Sequence, residues 1–432
     1  MSDLKDYRTI RFDGVLVAGG GVAGCAAAIG AARAGAPVRV LEEGISPGGM
    51  ATSGLLPLWM SGTDSPLQRE FTGRSASCGV GHSGCRPGEI DHEALKLALE
   101  QWFEELGIEV RYNVRVIDAA MEGDRIVGVY AAAPEGLLRI DAPVVIDATG
   151  DGAAAAAAGV PYTLGRESDH RCQGASLAFE VGNVKGDVTK LPDSFDVPFP
   201  TPRGDAAELA RKHLAPPAGH LILHATPEPG VVSANMTNAI GFDFTAAEGR
   251  SEAIRLCRRQ IAEIVGFLRE YMPGFEECRL LRSASEFGIR ESRHFRGRHV
   301  LTEREILEGK VFDDWIATRN YFPFDLHSVE GSGLDRNGAI ASFSGRRSYT
   351  VPLASCLPEA CSGLLLAGRN ISGTHVAHSS FRVMPICLNI GLGAGVAAAI
   401  ALRERVLPEA VDLRSVQREL LRQGVLPPEG EV

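Results

Sequence analysis

Residues 14–43 read GVLVAGGGVAGCAAAIGAARAGAPVRVLEE, and the fold turns on how this stretch is punctuated. An apolar run at 14–18 stops at three consecutive glycines, and a small-residue stretch follows. A second apolar run at 38–41 then ends in Glu42 and Glu43, after the break Gly35-Ala36-Pro37. This order predicts strand, tight turn, helix and strand, and a right-handed crossover lays the two strands parallel with the helix across them. The glycines fall as Gly19-x-Gly21-x-x-Gly24. Gly19 admits the turn, Gly21 lets the backbone approach a diphosphate, and Gly24 lets the helix pack closely on the strand; Ala23 lies in the same first turn of the helix. The helix N-terminus supplies N–H groups for the anion. Glu42, at the tip of the second strand, is placed to accept hydrogen bonds from both hydroxyls of an adenosine ribose and would repel a 2′-phosphate.

The chain has 432 residues, 45% hydrophobic and 23% charged, enough for two domains or one large domain with an insertion. Its 50 glycines form no collagen-like period and no linker tract, so they serve specific backbone positions. The net charge of −10, without a basic block, argues against nucleic-acid and anionic-membrane partners and favours a small-molecule substrate. The nine cysteines are odd in number and scattered, which predicts reduced thiols. The apolar stretch near the start is broken by glycines and has no basic leader, so it reads as neither signal peptide nor membrane span, and a cytoplasmic location is expected.

Beyond residue 43, a glycine-rich loop holds Pro47-Gly48-Gly49-Met50-Ala51-Thr52, and residues 64–90 read as irregular. From Asp91 the apolar residues Leu95, Leu99, Trp102 and Leu106 recur at helical spacing. Alternating strands of a small meander follow, then the buried strand 144–148 and a six-alanine helix at 153–158. From about 166 to 349 the alanine and glycine density falls and aromatic, Arg and His residues rise. Another apolar strand at 363–368 then leads into the small-residue helix after Pro385. The expected architecture is α/β: a Rossmann-like nucleotide-binding domain with a β-meander, built from 1–165 and 350–432, interrupted by an α+β substrate-capping domain at 166–349. Gly391-Leu392-Gly393-Ala394-Gly395 lies within a helix pattern, so no second dinucleotide turn is expected.

With the glycine pair following Glu42, the sequence resembles the flavoproteins that share the glutathione-reductase and fumarate-reductase type of FAD domain. Asp147-Ala148-Thr149-Gly150-Asp151-Gly152 looks like the family's ATG motif, and Leu366-Ala367-Gly368-Arg369 with the helix after Pro385 looks like its closing flavin motif. Within that superfamily the chain is similar to FAD-dependent oxidoreductases carrying segments like GIRESR (288–293), PFDLH (323–327) and HVAHSSFRVMP (375–385). The resemblance implies FAD, bound non-covalently because neither His nor Cys stands beside Gly49. It places Gly49, Met50, Ala51, Val116, Thr149, Gly150, Asp151, Gly368, Arg369, Pro385 and Ile386 with the glycine turn and Glu42 among the cofactor-binding residues. The helix after Pro385 would aim its N-terminus at the flavin pyrimidine edge and stabilise the reduced ring.

The substrate end is expected among polar groups able to face the ring. His375 and His378 stand three residues apart at a turn, with Arg382 four residues on. Fumarate-reductase-like enzymes use a His and an Arg of the comparable stretch to hold a substrate carboxylate, so the resemblance suggests Arg382 with one of these histidines. Arg290, Glu291, Arg293, His294 and Arg296 crowd another segment, with Asp325 and His327 some thirty residues later. An arginine there suits an anionic substrate, and His327 oriented by a carboxylate suits a general base. No metal is expected, since no further ligands accompany His375 and His378 in the sequence. Cys356-x4-Cys361 has the spacing of a redox pair but precedes the last strand, and Cys78 and Cys85 share a loop with His82; structural thiols are the expectation. The reading is a dehydrogenase that moves a hydride between flavin N5 and a small anionic or polyhydroxylated substrate, with an unknown electron acceptor and a homodimer as the assembly suggested by size and class. An oxygen-using oxidase or monooxygenase, and a flavin-binding regulatory protein without turnover, stand as alternatives.

Overall fold

The computed structural model describes residues 7–60, 62–82, 88–195, 197–335 and 347–429, so Cys85 lies outside the described residues. The apolar runs come together as one five-stranded parallel sheet in the order Leu364–Leu366, Val144–Asp147, Val15–Ala18, Val38–Glu42, Glu109–Tyr112. Three of these strands, Val15–Ala18, Val144–Asp147 and Leu364–Leu366, are buried along their whole length, as expected of parallel strands covered on both faces. The strand contributed by residues 364–366 is an edge of the sheet, so the N-terminal and C-terminal parts of the chain share one sheet. The meander follows the expected strands Arg115–Glu122, Arg125–Ala133 and Gly136–Asp141, and the N-terminal segment Arg8–Arg11 adds a parallel fourth strand beside the last.

Helix Val22–Arg33 packs along helix Met384–Glu404 with almost no side-chain spacer. A Cβ on Gly391 would sit 2.1 Å from the Ala23 carbonyl oxygen, and one on Gly395 would sit 2.0 Å from that of Ala27. Gly391 and Gly395 are therefore on the contact face of a helix, and Gly393 meets Ile316 on another side of it. Met384–Glu404 is long and apolar enough to cross a membrane, yet 94% of its apolar window is buried inside the fold. Gly391→Ala gives a prediction whose sign is informative. In an isolated helix the change stabilises by roughly 1 kcal/mol; here the added methyl meets backbone, and a net loss of about 2 kcal/mol is expected, read as a lower urea midpoint.

The second body is a four-stranded antiparallel sheet ordered Leu223–Ala225, Val232–Ala234, Phe179–Gly182, Arg279–Ser283, covered by helix Ala247–Tyr271. Its core is separate, drawn from residues 175–289 with Leu55. Phe295, Leu301, Trp315, Phe324 and Val351 pack instead in the core of the first body, although most fall within the segment 166–349.

Two local expectations are corrected. Within 64–90, read as irregular, Pro66–Ser77 is a helix. Ser65 caps it by accepting from the Gln68 N–H at 3.3 Å, and Pro66 occupies the first turn, where no donor is missed. Only Leu67, Phe71 and Ser75 face inward, so its polar surface hid the period. His375 and His378 do not flank a turn; they lie on a short helix, His375–Phe381, capped by Thr374. The eight described cysteines are free, including Cys356 and Cys361, which are both buried.

Candidate active site

The first turn is built as its glycines require. Gly19 takes φ +93°, and a Cβ on Gly24 would lie 1.9 Å from the Gly19 carbonyl oxygen. The second glycine pair docks directly on this turn: Gly48 N–H donates to Gly20 O at 2.8 Å, and a Cβ on Gly49 would meet Gly21 Cα at 3.0 Å. Gly21 itself faces open space, with no atom within 4 Å of where its Cβ would stand. Helices Val22–Arg33 and Met384–Glu404 both begin without a side-chain cap, leaving their N-terminal fields for a ligand. Pro385 occupies the first turn of the latter, while Ile386 is wholly buried behind it.

Glu42 stands at the strand tip as expected, accepting from Gly20 N–H at 2.6 Å and Gly44 N–H at 2.7 Å. Burial raises its carboxyl above the usual range against the pull of those two donors, so hydroxyl donors from a ribose would stabilise its charge. The chain at 113–114 lies alongside, with Val114 N–H on Glu42 O, and Val116 follows with its side chain in the core. Glu286, near Gly49, has its carboxyl pushed up to about 7 by burial and then by Glu42, so it sheds charge beside the open turn.

The Asp147–Gly152 segment is held from within. Asp147 is fully buried and accepts from Thr149 N–H, Thr149 Oγ1 and Ala155 N–H, while Thr149 Oγ1 accepts from Ala153 N–H. The side chains of Asp147 and Thr149 thus cap the alanine helix, and the backbone around Gly150 is what remains for a ligand. Asp151 ties the two bodies: it accepts from Arg369 at 2.6 Å, from Ser292 at 2.6 Å and from Arg250. Burial alone would raise the Asp151 carboxyl; Arg369 and Arg250 hold it low. Gly368 takes φ +99° beside Ala23, and the Arg369 guanidinium lies over Gly150. Met50 reaches Gly288 of the capping body, and the Ala51 carbonyl accepts from His92 Nδ1 at 2.8 Å, a ring flanked by the buried Glu180.

The seven candidate catalytic residues divide into three places. Arg290, Asp325, His327 and Arg382 converge. Arg382 donates to the Asp325 carbonyl at 2.6 Å and to its carboxylate at 2.9 Å, and His327 Nε2 lies 3.3 Å from the same carboxylate oxygen. Arg290 donates to Gly174 O and Ser176 Oγ at 2.7 and 2.6 Å. Burial, then the like charge of Arg382, lowers its guanidinium to about 10, still charged at neutral pH. Burial and then Arg290 lower His327 to about 4, outweighing Asp325. Asp325 stays ionised: burial would raise it, but its basic neighbours hold it below the usual range. Arg293 goes elsewhere, to the Asp151 carbonyl and over the Tyr162 ring. His375 and His378 form the third group, with Glu291 and His294.

Sequence spacing missed Gln173, which joins the first and third groups. Its N–H donates to Glu291 Oε2 at 2.7 Å, and its Oε1 accepts from His327 N–H and Arg382. His220 was missed too; Phe195 packs against both its ring and that of His327. Among the described residues seven buried polar atoms here have no partner: Gln173 Nε2, His220 Nδ1, Arg293 Nε, His294 Nδ1, His375 Nε2, His378 Nδ1 and Arg382 Nε. Buried donors and acceptors are normally paired, so their gathering at the junction of the two bodies fits a place for ligands. The open Gly21, the two bare helix ends and Glu42 together fit a flavin dinucleotide.

A family model described as FAD dependent oxidoreductase matches residues 14–420. No curated protein matches the chain. Among solved structures, a geranylgeranyl bacteriochlorophyll reductase-like protein from Thermoplasma acidophilum is 15% identical, with a TM-score of 0.50 over 97% of this chain and 85% of its own. The flavin-dependent brominase Bmp2 is 12% identical, with a TM-score of 0.52 over 96% and 83%. At these identities the likeness is one of fold.

Proposed function

The chain belongs to the FAD dependent oxidoreductase family and is a FAD-dependent enzyme, and from that premise we propose that it transfers a hydride between flavin and a small anionic or polyhydroxylated substrate held at the junction of its two bodies. The order of glycine turn, Glu42, glycine pair, Asp147–Gly152 and closing helix supports non-covalent binding of the kind found in glutathione-reductase and fumarate-reductase type flavoproteins. When bound, FAD supplies a hydride acceptor or donor at N5.

The observation that carries the reading is the convergence of Arg290 and Arg382 on Asp325 and His327. Two guanidiniums in a buried setting suit an anion, Arg382 by its planar fork and Arg290 by its fixed hydrogen bonds. His327 is uncharged at neutral pH and can take a proton from a substrate carbon or hydroxyl, with Asp325 orienting the ring and stabilising the cation that forms.

Anaerobic mixing of the FAD-loaded protein with 2-hydroxy acids, sugar acids and neutral polyols tests the proposal. Loss of the oxidised flavin band with an acid is expected; reduction by none of these classes refutes the substrate assignment. The base must be unprotonated to act, so kcat/KM is expected to fall as pH drops through about 4, well below the ordinary histidine value of 6.5. The groups facing His327 are Asp325, Arg290, Arg382 and His220, itself lowered to about 3 by burial and then His327. An acid limb near 6.5 contradicts this role for His327.

A further inference from the structure

Glu291, His294, His375 and His378 form a cluster that hydride transfer does not use. The Glu291 carboxylate is sealed from solvent; its Oε1 accepts from His294 Nε2 at 2.7 Å and from His375 Nδ1 at 2.6 Å, and its Oε2 accepts from the Gln173 N–H. The His294 and His378 rings meet edge to face with centroids 4.7 Å apart. All three histidines are more than nine-tenths buried, yet His294 Nδ1, His375 Nε2 and His378 Nδ1 have no partner. Buried polar atoms are normally paired, so each such orphan is costly. The orphan on His378, a buried ring beside the Glu291 carboxylate and the His294 ring, points to a missing ligand that binds ring nitrogen.

A carboxylate oxygen of Glu291 and one nitrogen each of His294 and His378 lie within 4.8 Å of one another. Neighbouring donors around a small divalent ion with bonds of about 2.1 Å are about 3 Å apart. Glu291 Oε1 and His294 Nε2, 2.7 Å apart, already meet that spacing, and the ion would replace the hydrogen bond between them and draw His378 in. We propose that Glu291, His294 and His378 bind one divalent transition-metal ion, of the borderline class that takes imidazole and carboxylate together, such as Zn²⁺ or Fe²⁺. His375, hydrogen-bonded to the Glu291 carboxylate, orients that ligand as a positioning residue. His294 lies in the short strand Arg293–Phe295, just after Glu291, and His378 in the helix His375–Phe381. The ion therefore ties the GIRESRH segment to the helix that precedes Met384–Glu404.

The test uses the full-length, FAD-loaded protein, stripped with a chelator and dialysed against Zn²⁺ or, without oxygen, Fe²⁺. One ion per chain is expected, with X-ray absorption showing an N/O shell that contains imidazole. His294→Ala and His378→Gln are each expected to weaken uptake at least about tenfold, with the flavin spectrum kept as the sign of folding. Failure of the unaltered protein to take up either ion at stoichiometric level overturns the proposal and leaves a hydrogen-bonded carboxylate with its histidines. Uptake unchanged in both variants also overturns it, by placing the ion elsewhere. If the variants do not fold, the absorption spectrum of the unaltered protein decides: a shell without imidazole refutes the site.

Discussion

Gly21→Leu is expected to fold normally and to purify colourless. Gly21 precedes the first helix with φ −66° and ψ −177°, extended backbone that any residue adopts, and nothing stands within 4 Å of its missing Cβ. The fold therefore has no need of glycine there, beyond roughly 1 kcal/mol of helix-capping preference. A leucine side chain would occupy the approach of the diphosphate to the helix N-terminus. FAD affinity should fall by more than about 100-fold, equivalent to about 2.7 kcal/mol, measured by titrating apoprotein with FAD. Gly24→Ala makes the contrast, since its methyl would be driven into the Gly19 carbonyl and the loss should appear in folding itself. FAD binding by Gly21→Leu at the unaltered affinity, with native circular dichroism, would put the diphosphate somewhere other than this turn and undo the account of the cofactor site.

The contrast between Gly21 and Gly24 also shows why the cofactor end was readable in the sequence. Its determinants are local. Gly19, Gly21, Gly24 and Glu42 lie within one strand-turn-helix-strand unit, where spacing along the chain is spacing in space. The buried parallel strands were equally legible, because burial on both faces writes them as unbroken apolar runs. What escaped were elements with polar faces, such as Pro66–Ser77 and Arg8–Arg11, whose partners rather than their own periods define them. The substrate end is of this second kind. Gln173 meets Glu291 and Arg382 across 118 and 209 residues, and Asp151 meets Arg250 across 99. No local pattern sorts a run of ionisable residues such as 290–296 into those that face the pocket, those that tie the bodies together, and those like Arg296 that pair with Glu359 in solvent. Tertiary distance did that sorting: Arg290 went to the pocket, Arg293 to Asp151 and Tyr162, and His294 to Glu291.

The decisive substitution at the substrate end is Arg382→Ala. The Arg382 side chain is only 10% exposed and its Nη2 is engaged by Asp325 and Gln173, so its removal acts in two ways. It withdraws a charge from the proposed anion, and it leaves the Asp325 carboxylate with Arg290 as its remaining cationic neighbour beside the neutral His327 ring. Truncating one member of a buried charged pair costs about 2–5 kcal/mol, so kcat/KM for an acidic substrate should fall at least about 100-fold, with some loss of thermal stability. The flavin spectrum and FAD affinity should persist, since the glycine turn and Glu42 are untouched. The two effects separate in the double variant Arg382→Ala with Asp325→Asn. Removing the uncompensated carboxylate should recover stability without recovering turnover. Arg382→Lys keeps the charge but not the planar fork and should restore only part of the activity. The discriminating measurement compares a carboxylate substrate with its neutral amide. If Arg382 holds the anion, the variant penalises the acid far more than the amide; equal losses for both would show that Arg382 acts by supporting the pocket and would remove the anion from the proposed reaction.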